Sequence, residues 1–280
     1  MSMKTGAMKK AAIALLASQL VWFACAENPV DPANKQGQPD LPPSTALAID
    51  ISYFFSSGKA AQNGDATQAR DNFAEAVRNV LQFNTLMLVQ AGIPMATFAA
   101  ALTKQPAVGD DGKYHWTFSM EYNGVSLQAD LSGVRDSTNG EAIWEMRITF
   151  QGQEYNLDDF LWYAGRSGPN NKSGSWTIYD PTRPDSTYDM LLVQWQENSE
   201  TSSVIAFTML AEGDSQNDQI TLFRDGADRR MLMYDFSAET TVEVGWNVET
   251  GEGYIIAPDY NGGAKACWDA SKNDVACSSE

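Results

Sequence analysis

From Gly112 onward the side chains sort by odd and even position, and this period of two constrains the fold more than any other feature of the chain. Tyr114, Trp116, Phe118, Met120 and Tyr122 alternate with His115, Thr117, Ser119 and Glu121. Asn123-Gly124 follows, a pair favoured in two-residue hairpin turns because such turns need positive φ. Val125, Leu127, Ala129 and Leu131 then alternate with Ser126, Gln128, Asp130 and Ser132. Successive side chains of a strand point to opposite faces. The pattern therefore spells two antiparallel strands, each with one dry and one wet face.

The same signal returns after Asn139-Gly140, with Trp144, Met146, Ile148 and Phe150 on one face. Further strands are predicted over 159–164, 175–179, 188–196, 203–210, 219–223, 230–236, 241–248 and 253–257. The connections are short and rich in Gly, Asn, Asp and Ser, with no helical pattern between strands. Parallel βαβ units are therefore not expected. Residues 188–195 and 203–210 are apolar on both faces, and read as strands covered twice.

Upstream the period is 3.6. Phe73, Val77, Val80, Leu81, Met87 and Leu88 share one stripe of a helix predicted over 65–92, with Asp65 as N-cap and Gly92 as its stop. Pro94 opens a second short helix to Leu102, and 44–57 reads as an earlier one. The fold class is α+β: N-terminal helices (44–105) packed on a large curved antiparallel β-meander (106–280) of about 10–11 strands, a half-barrel or open barrel forming one domain with them. The hollow of such a sheet is filled by helices or takes an apolar ligand. The candidate ligand face consists of Trp116, Phe118, Met120, Trp144, Met146 and Trp246.

The start of the chain follows different rules. Lys4, Lys9 and Lys10 precede an uncharged run, Ala11 to Ala24, too short for a membrane span of about 20 residues. This is the anatomy of a secretory signal. Ala24-Cys25-Ala26 permits ordinary cleavage after Ala26. Trp22-Phe23-Ala24-Cys25 resembles the lipobox of bacterial lipoproteins, whose cysteine is lipidated and becomes the new N-terminus. That resemblance implies a signal peptide over 1–24, acyl chains on Cys25 and a membrane partner, at the outer membrane or surface of a bacterial cell envelope. Pro29, Pro32, Pro39, Pro42 and Pro43 make 25–43 a tether of extended geometry. Cys267 and Cys277 flank a short polar segment, and an exported chain keeps disulfides, so the two are expected to pair. An anchored domain with helices against a curved antiparallel sheet is similar in outline to the LolA/LolB-like carriers and to lipocalin-type barrels. The helices here precede the whole sheet, so the likeness implies an apolar or lipid ligand but transfers no residues.

The chain is strongly acidic, and losing the leader's lysines takes its formal charge from −17 to −20. Such a balance argues against nucleic acid and against adhesion to anionic headgroups. Signs of catalysis are sparse. His115 is the only histidine and lies on a wet face, no serine stands in a Gly-x-Ser-x-Gly elbow, and no dinucleotide or phosphate glycine motif is present. No catalytic residue, metal or cofactor is expected. Asp158-Asp159, beside Phe160, Trp162 and Tyr163, is the most suggestive acid pair for hydrolysis, in a chain where acids are abundant enough to meet by chance. The acidic loops 214–218 and 269–274 lack the spacing of an EF-hand. Trp162, Trp176 and Trp268 fall near turns, where exposed rings would stack on sugars. The reading is a non-enzymatic, membrane-anchored lipoprotein that binds an apolar molecule or lipid in the concave face. Its alternative is a surface-displayed structural, adhesive or carbohydrate-binding module without a small-molecule pocket.

Overall fold

A computed structural model describes residues 37–43, 51–56 and 69–278, apart from 123, 154, 186 and 187. Cys25 and the leader lie outside them, as do Asp65 and most of the segment 44–57. Two helices are described, α1 (Ser52–Ser56) and α2 (Asp71–Leu102). Fourteen strands follow in an antiparallel meander whose sheet order is the chain order. They are β1 (Ala107–Val108), β2 (Tyr114–Tyr122), β3 (Val125–Arg135), β4 (Ala142–Gln151), β5 (Asn156–Ser167), β6 (Ser173–Tyr179), β7 (Asp189–Glu197), β8 (Ser202–Met209), β9 (Gln219–Asp225), β10 (Asp228–Asp235), β11 (Thr240–Asn247), β12 (Gly253–Ile256), β13 (Ala266–Trp268) and β14 (Asp274–Val275). Each of the eleven expected strands overlaps one of β2–β12. The additional β1, β13 and β14 have two or three residues each, too few to show a period.

The helical reading needs correction at one joint. Gly92 and Pro94 do not separate two helices; α2 runs through both. A proline removes one intrahelical hydrogen bond, and the rest of the turn persists here, with Thr97 Oγ1 donating to the Pro94 carbonyl at 2.9 Å. Among the described residues no helix is long and apolar enough to cross a membrane.

Contacts divide the chain into two compact units. The first comprises Met1–Ala48 and Met87–Gln194. Its ladder from β1 to β6 is antiparallel throughout. Trp116, Leu131, Trp144 and Met146 lie on the dry face, each 1% exposed or less. Phe98 of α2 packs edge-on against Trp176 at 5.6 Å. Bulges in the β4–β5 ladder break the alternation, so the successive residues Trp162 and Tyr163 are both buried. Within the proline-rich stretch, Pro39 and Pro42 are buried, and Asn171 Nδ2 donates to the Asp40 and Leu41 carbonyls.

The second unit comprises Ile49–Leu86 and Trp195–Glu280. Here α1 and the first half of α2 lay aromatic rings on the sheet: Tyr53 stacks on Trp246 at 5.9 Å, Phe54 meets the same ring at 4.9 Å, and Phe73 meets Trp268 at 5.4 Å. The N-terminus of α2 is capped from far along the chain, the N–H groups of Asp71 and Asn72 donating to the Asp274 carboxylate at 3.2 and 3.0 Å. Asn72 also donates to the Cys267 carbonyl. Cys267 and Cys277 form the expected disulfide.

Four strand glycines each lie under the ring of a directly paired aromatic residue. The pairs are Gly133–Trp144, Gly165–Trp176, Gly245–Tyr254 and Gly253–Trp268. A Cβ at any of these glycines would lie 2.2–2.5 Å from the nearest ring carbon or an adjacent backbone oxygen. The missing side chain lets the ring lie flat on the neighbouring strand. Three of these rings belong to buried tryptophans, and Tyr254 is the exception.

Candidate functional site

Tyr254 faces away from the helices. Alternation places Ile205, Met231, Val244, Trp246, Ile255 and Trp268 on the buried face of the second unit. Their neighbours lie on the other face, and the strand register lines these up. Val204 pairs with Phe223, Phe223 with Arg230, Arg230 with Gly245, Gly245 with Tyr254, Tyr254 with Cys267 and Cys267 with Val275. These seven residues form one row across seven strands, β8 to β14. The row lies along a groove of about 890 Å³.

Two cations are set against rings in this groove. The Arg230 guanidinium lies 4.4 Å over the Phe223 ring, and the Lys265 ammonium 4.3 Å over the Tyr254 ring. Tyr254 is fixed from below by the bare backbone of Gly245 and from its tip by the Glu243 carboxylate, to which its hydroxyl donates at 2.6 Å. Arg224 donates to the Glu200 carbonyl at 2.8 Å, while its buried Nε has no hydrogen-bond partner. Asp228 accepts from Asn247 Nδ2 at 2.7 Å, and Asp269 from the N–H groups of Ser271 and Asn273 at 2.9 Å. Asp228 is thus held from the paired strand, and Asp269 by its own turn.

A second cluster of the same unit lies on the helix side. Lys272 Nζ donates to the Tyr53 hydroxyl and the Gly251 carbonyl, with its charge 4.0 Å over the Tyr53 ring. Burial pushes its pKa down to about 8, against the pull of Asp269. Burial likewise pushes Tyr53 up to about 12, against the hydrogen bond from Trp268.

In the first unit, His115 bridges two carboxylates, Asp130 at 2.7 Å from Nδ1 and Asp111 at 3.0 Å from Nε2. Burial by itself would lower its pKa, but the hydrogen bonds and charges of both carboxylates outweigh this and raise it. With both ring nitrogens occupied, the imidazole has no position left to activate a hydroxyl. Asp158 and Asp159 are exposed, and Asp159 pairs with Arg147 at 3.0 Å.

The expected site residues separate clearly. Trp116, Trp144, Met146 and Trp246 are buried, while Phe118 and Met120 are half-buried. Trp162, Trp176 and Trp268, expected near turns and available to sugars, are 2% exposed or less. The β5 bulges enclose the first, and paired glycines seat the other two inside the sheet. In the loops 214–218 and 269–274, Asp218 receives the N–H of Phe236 and Asp274 those of α2. Among the described residues no group of three or more His, Cys, Asp or Glu side chains could hold a metal ion. The groove on β8–β14 was missed by sequence reasoning, since its residues come from seven strands and meet only through register. No family, no characterised protein and no solved structure matches this chain.

Proposed function

We propose that this chain is an exported lipoprotein of the bacterial cell envelope, anchored through acyl chains on Cys25, which binds saccharide at the surface and does no catalysis. Its class is α+β, with the N-terminal helices as packing partners of the meander within each unit. One observation carries the choice of ligand site. In both units helix side chains occupy the dry face of the sheet, through Phe98 on Trp176 in one and Tyr53, Phe54 and Phe73 on Trp246 and Trp268 in the other. A dry face closed in this way supports the adhesive or carbohydrate-binding reading over an apolar ligand in the concavity.

The outer groove has the composition such a role needs. Aromatic rings pack against the C–H faces of sugars, and Asn, Ser, Arg and Asp side chains exchange hydrogen bonds with hydroxyls. Phe223 and Tyr254 carry the Arg230 and Lys265 charges in that groove, and Asn198, Ser202, Ser203 and Asn247 line it as hydrogen-bonding groups. The test uses the soluble Cys25→Ser protein on a glycan array, with Tyr254→Ala as the site variant. Binding by the former and at least a tenfold loss in the latter, with unchanged melting, is expected. Silence of the folded protein across neutral and acidic glycans refutes the saccharide role. The anchor has its own readout: Cys25→Ser abolishes acyl labelling and moves the protein to the soluble fraction, and an unchanged distribution refutes lipidation.

A further inference from the structure

We infer that the groove selects an acidic saccharide, an oligomer whose carboxylate is taken by Arg230 and Lys265. This deepens the saccharide role and rests on it. The chain has 36 acidic residues against 19 basic ones, yet Arg230 and Lys265 both stand over rings of this one groove. Arg230 is exposed, and among the described residues no ion pair joins it to an acid. In so acidic a chain an arginine standing apart from carboxylates offers its charge to something else.

The geometry prepares both cations for a carboxylate. A guanidinium stacked over a ring keeps its N–H donors in its own plane, where a carboxylate receives two of them side by side. Holding Arg230 over Phe223 also removes rotamer freedom beforehand, so less is lost on binding. Lys265 is held in the same way over Tyr254, which Gly245 and Glu243 fix in turn. Of the acids that line the groove, Asp225, Asp228, Glu252 and Asp269, Asp228 is bonded to Asn247 on the paired strand and Asp269 to the N–H groups of its own turn. The negative charge of the wider molecule acts weakly there, being screened beyond roughly 8 Å at physiological salt.

Length follows from the sheet. Phe223 is on β9 and Tyr254 on β12, three strand spacings of about 4.8 Å apart, or about 14 Å. That span fits a short oligosaccharide running across the strands and exceeds a single sugar.

The experiment is isothermal titration of the soluble Cys25→Ser protein with two families of uronate oligomers, galacturonate and glucuronate, each beside its carboxyl-reduced neutral counterpart of equal length. At least one uronate binds, its reduced form binds ten- to a hundredfold more weakly, and Arg230→Gln removes that difference between the acidic and reduced forms. Arg230→Lys recovers only part of the loss, since it keeps the charge and lacks the paired donors. Equal affinity for acidic and reduced forms overturns the inference and leaves the saccharide role standing, as does array binding confined to neutral glycans. Wild-type selectivity in Arg230→Gln overturns it too. Failure to bind any saccharide removes both. Arg230 is exposed, and matching melting curves of the variants establish that the fold is intact.

Discussion

Gly133→Ala tests the packing argument at its most crowded point. A Cβ there would lie 2.4 Å from Cζ3 and 2.6 Å from Cε3 of Trp144. Non-bonded carbons rest at about 3.5–4.0 Å, so the ring would have to retreat by roughly 1 Å. It has nowhere to go: Trp144 is fully buried, its Nε1–H donates to Ser167 Oγ at 3.0 Å, and the Trp116 ring lies at 5.6 Å. Overpacking of this kind costs about 1–3 kcal/mol, and replacing a strand glycine by alanine returns about 0.5–1 kcal/mol of backbone entropy. The net expectation is a loss of about 1–2 kcal/mol, read as a lower urea midpoint at unchanged slope. Ser167→Ala unpins the ring, so in that background the penalty of Gly133→Ala shrinks by about 0.5 kcal/mol or more. A Gly133→Ala protein as stable as the wild type, or more so, refutes the claim that the bare glycine is what seats the ring. Strict additivity in the cycle refutes the pinning.

His115 is the chain's only histidine, so one imidazole resonance in an NMR titration reports it; it titrates above 6.5 and moves down in Asp130→Asn, and a midpoint below 6.5 in the wild type refutes the double bridge. Because its folded pKa is raised, the stability it contributes is complete below 6.5 and is lost as pH climbs through the folded value. Lys272 behaves in the opposite sense: between about 8 and 10.5 the folded state has released a proton the unfolded chain still holds, so stability rises with pH. Solvent screening of this half-exposed group holds the gain to about 1–2 kcal/mol, and Tyr53 reverses it between 10 and about 12. Lys272→Met flattens the rise in denaturation midpoint from pH 8 to 10, and a flat wild-type profile refutes the reasoning. Asp274→Ala removes the cap of α2 and lowers stability by about 1–2 kcal/mol; no change in the urea midpoint would show that water replaces the carboxylate without cost.

The meander was legible because alternation is a local property, repeated over strands long enough to display it. Alternation alone puts Trp116, Trp144 and Trp246 on a dry face, and all three are buried. What escaped was non-local. The cap of α2 comes from Asp274, which no reading of the residues around Asp71 could supply. Continuation of the helix past Gly92 and Pro94 depends on packing, against which local propensity is a weak guide. Trp162, Trp176 and Trp268 sit close to turns in sequence, and nearness to a turn was read as exposure. A bulge and two cross-strand glycines decide otherwise, and each of these depends on which residue of the next strand lies opposite.

The groove was invisible for a related reason. Alternation tells which face of a strand is wet, but says nothing of what the wet face presents once the strands are in register. Phe223, Arg230, Gly245 and Tyr254 stand on four strands, and each taken singly is an ordinary outward residue. In register they make a ring, a cation, a bare stretch of backbone and a second ring in line. Glycine under an aromatic ring is the same arrangement the core uses at Trp144, Trp176 and Trp268. Inside, apolar side chains complete the cover over the tryptophans, and the pairing accounts for itself as burial. Over Tyr254 the cover is an ammonium group, so the same pairing places a charge, in place of an apolar side chain, on the wet face.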